Sequence, residues 1–153
     1  MIKQQKGFTI IEVVLVLAIA GLIFLMVFIA LPALQRGQRD SQREQDLSRF
    51  MSAINSFQSN NRGAVPTANP AGITGGAGLV PRYLIVGGDN FDDPRGGAYT
   101  FVYGVGAAPA TGQVRYAVNG RCGTDGAIVA GSGARQVAAS VGLEGGGAHC
   151  QQN

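Results

Sequence analysis

The sequence has no tryptophan, a single histidine, two cysteines and few charges, with 12 Lys and Arg against 9 Asp and Glu in 153 residues. Each shortage excludes something. One histidine and two cysteines supply too few ligands for a zinc site. That histidine, His149, stands beside Cys150 in a Gly-rich tail. A nucleophile and its base need facing side chains and a third group to orient them, which sequence neighbours do not provide. The Gly-rich stretch 75–78 lacks the Lys-Ser/Thr with which a phosphate-binding loop holds phosphate and Mg²⁺. No catalytic residue and no cofactor is expected, and the chain does not read as an enzyme. The net charge is +3, and Lys3 and Lys6 at the extreme N-terminus contribute two of those charges. A balance so close to neutral does not indicate nucleic-acid binding.

Charge is scarcest over residues 6–34, which read KGFTIIEVVLVLAIAGLIFLMVFIALPAL. Between Lys6 and Arg36 the only charged residue is Glu12. A helix needs about 20 apolar residues to cross a hydrocarbon core of about 30 Å, so this run is long enough to span one. An ordinary secretory signal has a shorter apolar core, followed by a small-residue cleavage site, and fits less well. A carboxylate in such a run costs roughly 2.5–3.5 kcal/mol at a helix centre and less near an end, so Glu12 needs a partner. The run contains no Lys or Arg to serve. Cleavage before Phe8 would create one, an α-ammonium four residues from Glu12 and on the same helix face. The pair can form within one chain or between neighbours.

The segment Lys6-Gly7-Phe8-Thr9-Ile10-Ile11-Glu12 resembles the leader junction of type IV pilins and pseudopilins, of the class III, N-methylated leader type. The resemblance covers about the first third of the chain. It implies that Gly7 is the last leader residue, that Phe8 is the methylated mature N-terminus, and that Glu12 is the assembly carboxylate. Gly21 falls where the family has Gly, and the helix proline falls at Pro32, one turn later than usual; both mark expected points of kinking or unwinding. The implied partners are further copies of the chain in a helical filament, a prepilin peptidase/methyltransferase, an assembly ATPase, membrane platform proteins, and the membrane itself before assembly. The implied location is a single-pass precursor with its N-terminus inside, and an extracellular filament after assembly. The Arg-rich stretch after the helix makes the positive-inside rule ambiguous, so the orientation rests on the resemblance and on the cysteines.

The chain in order divides into a leader at 1–7, a membrane or filament-core helix at 8–34, and its amphipathic continuation at 35–62. A Gly/Pro-rich connection at 63–97 and a sheet with a closed C-terminal region at 98–153 follow. In the continuation Leu47, Phe50, Met51, Ile54 and Phe57 recur at three- and four-residue spacing and form one apolar face. Its arginines read as a solvated or subunit-contact face, with Arg36–Asp40 and Asp46–Arg49 as helix-spaced pairs. The connection carries Asp89, Asp92 and Asp93, oxygen donors that could hold Ca²⁺, although the spacing is not that of an EF-hand and a polar turn is the simpler reading. Strands are expected at 98–103, 113–118, 127–129 and 136–141, with Asn119-Gly120 as a turn and 145–153 as a tail. Cys122 and Cys150, in an exported domain, are expected to pair. The loop they would close stabilises by about 3–4 kcal/mol in the chain-entropy treatment.

The expected fold class is α+β, a long N-terminal helix packed against a small antiparallel sheet, the pilin fold. The expected function is that of a filament subunit. Two other readings stand beside it: a pseudopilin of a type II secretion system, which Ca²⁺ binding at 89–93 would favour, and a single-span membrane protein with a small binding ectodomain.

Overall fold

A computed structural model describes residues 7–153; residues 1–6, with Lys3 and Lys6 of the expected leader, lie outside the described residues. The chain forms two compact units, one ending at Arg36 and one beginning at Gly37. Helix α1 (Ile10–Asn60) contributes to both and is continuous through Gly21 and Pro32. Pro32 has no N–H to give and so leaves the Phe28 carbonyl without its helical donor.

From Ile10 onward the first unit is helix alone. Its large apolar side chains are exposed, among them Ile10 at 86%, Met26 at 73% and Phe28 at 74%. The helix is long and apolar enough to cross a membrane, and no residue of its most apolar window is buried.

The second unit is α+β. From α1 it buries Leu47, Phe50, Met51 and Ile54, with Phe57 packed alongside. Against that face lies a four-stranded sheet in the order β1-β2-β5-β6. Its strands are β1 (Thr100–Tyr103), β2 (Gln113–Val118), β5 (Val137–Gly142) and β6 (Ala148–Gln152). Alternate residues Val114 and Tyr116 of β2, and Val137, Ala139 and Val141 of β5, point into the helix-facing core. Phe50 stands at its centre, edge-on to Tyr116 at 5.7 Å and tilted against Phe101 at 5.5 Å.

The intervening residues Ala117 and Ala138 face the other way and meet Ile128, Cys122 and Cys150. That face is covered by a separate antiparallel ribbon of β3 (Gly120–Cys122) and β4 (Ile128–Ala130). The sheet is therefore covered on both sides, which is why every residue of β5 is buried. Asn119, at φ 57°, turns the chain out of β2 into the second sheet instead of closing a hairpin. The disulfide Cys122–Cys150, with Cα atoms 5.8 Å apart, fastens the ribbon to β6.

The expectation of a purely antiparallel sheet is corrected: β1 and β2 are parallel, with Thr100 opposite Gln113, while β2–β5 and β5–β6 are antiparallel. A parallel pair needs a crossover long enough to return the chain to the same end. Residues 104–112 make it as a strap that bridges to Ile128 at Gly106 and to the end of β5 at Thr111–Gly142. Gly142 admits that strap, because a side chain there would collide with the backbone of Pro109 and Ala110. The expected C-terminal tail is corrected too, since β6 is a full strand with Cys150 opposite Ser140.

The 63–97 connection is ordered. It holds α2 (Pro70–Ile73), whose N-cap Asn69 accepts from Gly72 N at 2.8 Å. A π-helical turn over Val80–Leu84 and a 3₁₀ turn over Val86–Gly88 follow. Ile73, Leu79, Leu84 and Phe91 from this segment complete the core, so it is structural as much as connective.

Candidate assembly site

The N-terminal site is built from the first turn of α1. Thr9 O accepts from Glu12 N at 3.1 Å and from Val13 N at 3.3 Å, which starts the helix. Thr9-Ile10-Ile11-Glu12 also has the spacing of a capping box, in which the Glu side chain would bond back to the Thr amide. No side-chain bond of Thr9 or Glu12 occurs among the described residues, and Glu12 has no ion-pair partner there. Its carboxylate is exposed, with Phe8, Val13, Val16 and Leu17 around a shallow apolar groove. Phe8 and Glu12 are four residues apart and line the same groove. Around Gly21 the space is open, so a neighbouring helix can approach its backbone closely.

Chemically this is an acceptor awaiting a cation in an apolar setting. An ammonium brought into the groove would meet a carboxylate with no competing partner, and the surrounding side chains would exclude water. Low polarity strengthens such a pair, provided both charges arrive together.

A second cluster, at the start of the Gly37 unit, was not legible in the sequence. Arg43, expected on a solvated or subunit-contact face, is fully buried within the unit. Its Nε and Nη2 donate to Asp93 Oδ2 and Oδ1 at 2.8 and 2.9 Å. Its Nη1 donates to Asp40 Oδ1 at 2.9 Å, and Nη2 also reaches Glu144 Oε1 at 3.0 Å. Arg39 grips Glu144 with two bonds of 2.9 and 2.7 Å. Asp40 in turn accepts from the Glu144 and Gly145 amides, both at 2.8 Å. The cluster ties α1 to the β5–β6 turn and to the 89–95 segment. Nearby, Tyr99 donates its hydroxyl to Asp46 Oδ2 at 2.9 Å.

The electrostatics follow the contacts. The hydrogen bonds from Arg39 hold Glu144 down at about 2 against the opposing effect of burial, with Arg43 adding to the pull. Burial disfavours ionised Asp93 and Asp40, but Arg43 outweighs it at the first, and the Glu144 and Gly145 amides with Arg43 outweigh it at the second; both lie below the ordinary carboxylate range. Asp93 raises Arg43 further above its usual value. Burial, reinforced by Asp46, pushes the Tyr99 phenol up.

This cluster corrects one expectation and bears on the alternative Ca²⁺ reading of the 89–93 segment. Asp40 pairs with Arg43 and not with Arg36, while Asp46–Arg49 stands at 3.3 Å. The three candidate Ca²⁺ donors do not converge: Asp93 is taken by Arg43, Asp89 lies 3.6 Å from Arg49, and no cluster of acids, His or Cys suited to a metal occurs among the described residues. His149 Nε2 lies 3.2 Å from the Gln151 side-chain amide, and Cys150 beside it is in the disulfide.

Comparison with known proteins bears on the first site. Residues 2–28 match the family described as the prokaryotic N-terminal methylation motif, a span that contains Gly7, Phe8, Glu12 and Gly21. This motif is the class III leader of type IV pilins and pseudopilins. No curated protein and no solved structure matches the chain.

Proposed function

We propose that this chain is the precursor of a filament subunit of the type IV pilus class. It is held in the membrane by residues 8–34, cut after Gly7, methylated at the Phe8 amine, and assembled through Glu12. The observation that carries the reading is the methylation motif over residues 2–28, on the part of α1 before Gly37, whose large apolar side chains are exposed and whose one carboxylate, Glu12, has no ion partner among the described residues. Burying each large apolar side chain is worth about 1.5–3 kcal/mol, so a helix this bare needs either lipid or other helices around it. Lipid serves before assembly and helices serve after it. The ammonium on Phe8 of an incoming copy neutralises Glu12 of its neighbour, and Gly21 and Pro32 are where the packed helix can bend or unwind.

A prepilin peptidase/methyltransferase prepares the subunit, and an ATPase with membrane platform proteins extracts it. The Gly37 unit then forms the outer layer of an extracellular filament. The commitment of Asp93 to Arg43 removes one donor from the calcium set that would have favoured a secretion pseudopilin. Mass analysis of the mature N-terminus tests the reading. A chain that begins at Phe8 with one added methyl group is expected; a chain that retains residues 1–7 in cells with an active peptidase overturns it.

A further inference from the structure

Charge in the Gly37 unit is sorted along α1. Near the start of the unit lie the cluster of Arg43 and its carboxylates, the Asp46–Arg49 pair and the 89–95 segment. Two acids there have no ion partner among the described residues, Glu44 on α1 and Asp92 in the bridge to Ala98, and Asp89 is mostly exposed. From Glu44 to Asn60 the helix advances roughly 24 Å at 1.5 Å per residue.

At that far end the charge is of the opposite sign. Arg62 follows the last turn of α1, and the Arg135 guanidinium lies within 3.0 Å of the place a side chain would occupy at Gly63. Gln58 Nε2 donates to Arg135 O at 3.2 Å, which fixes that loop beside the helix end. Arg82 adjoins Tyr83, whose hydroxyl accepts from Asn60 at 3.3 Å. Arg62, Arg82 and Arg135 are exposed and none has an ion pair among the described residues.

Like poles repel, so neither end favours a two-fold contact with its own copy. Opposite poles attract, and a head-to-tail contact uses two different patches, so it builds a ring or an open polymer and not a two-fold dimer. We propose that the Gly37 unit docks end to end on a second copy of this chain, with Arg62, Arg82 and Arg135 of one copy against Glu44 and Asp92 of the next. This rests on the filament reading and specifies an outer-layer contact for it, separate from the Glu12 pair. Exposed pairs are screened over about 8 Å at physiological ionic strength, so the contact acts by repetition along the polymer and loosens with salt.

The test uses the full chain in membranes with its processing enzymes. Reversing Arg62→Glu with Arg135→Glu removes no side-chain hydrogen bond, so the fold is retained. The reversal is expected to lower the filament yield about fivefold or more, as two weak pairs per contact allow. Adding Glu44→Arg with Asp92→Arg is expected to restore it. Separately, Glu44→Cys combined with Arg135→Cys, treated with a thiol cross-linker, is expected to give a ladder of dimers, trimers and longer species, because the native cysteines are already paired. A ladder without filaments keeps this contact and removes the filament reading. Filaments at full yield after the reversals, with no ladder, overturn this contact alone, and that is the result expected if the arginines serve a nucleic acid. Failure of the swap to restore yield removes the electrostatic basis. Absence of both ladder and filament removes both proposals.

Discussion

Replacing Arg43 by alanine would leave Asp40, Asp93 and Glu144 facing one another without the cation they share. Breaking a buried ionic cluster by removing one partner costs about 3–5 kcal/mol, and denaturant unfolding of the detergent-held chain is expected to show a loss of that size. Lysine is not a substitute, because a point charge cannot make the paired bonds that the guanidinium gives Asp93. The same cluster sets the response to acid. Glu144 falls from its ordinary 4.5 to about 2 on folding, and Asp40 and Asp93 also fall. Depressed carboxylates stabilise the fold fully above their unfolded values and lose that contribution as pH drops through the folded ones. Stability is therefore expected to be flat above about 4.5 and to decline toward about 2, read as the unfolding midpoint against pH. At Glu12 the expectation is different. Glu12→Gln keeps the shape, eases residence in lipid, and is expected to leave a processed, membrane-held subunit whose filament yield falls roughly tenfold or more, since losing one member of a buried charge pair costs about 2–5 kcal/mol. Glu12 stands out as a candidate in the sequence because it is alone in an apolar run. Arg43 does not, since its burial depends on Asp93 and Glu144, 50 and 101 residues away, and a helical pattern reads an arginine as surface.

Among the elements, α1 was the most legible, because length and periodicity both write it. Leu47, Phe50, Met51 and Ile54 lie in the core where their spacing puts them. Strands β2 and β5 carried enough β-branched residues to be seen. By contrast, β6 contains Ala, His, Cys and Gln, residues with no strong strand preference, and it follows three glycines. Its pairing comes from β5 and from Cys150, so local pattern could not reveal it. The parallel β1–β2 pair was hidden for a related reason: the direction of a strand is set by where its connection goes, and the 104–112 strap passes the end of β5 only because Gly142 leaves room. The disulfide ties β3 to β6 across a separation of 28 residues. Substituting both cysteines, Cys122→Ser with Cys150→Ser, is expected to lower stability by about 3–4 kcal/mol in chemical denaturation, the chain-entropy value for a loop of this size.

At the scale of the whole molecule, the two units divide the work. One is a bare apolar helix that is incomplete without surroundings; the other is a closed α+β body with its polar atoms satisfied, since no buried side-chain N or O among the described residues lacks a partner. The polymer is proposed to form when the first unit exchanges lipid for other helices, with Glu12 and the Phe8 amine cancelling their charges in the exchange. A high-resolution density map of the assembled filament tests this most directly. The expected result is the Glu12 carboxylate of each subunit within ion-pair reach, about 4 Å, of the N-terminal nitrogen of a neighbour, away from water. A filament in which Glu12 faces solvent, distant from every neighbouring N-terminus, would contradict it.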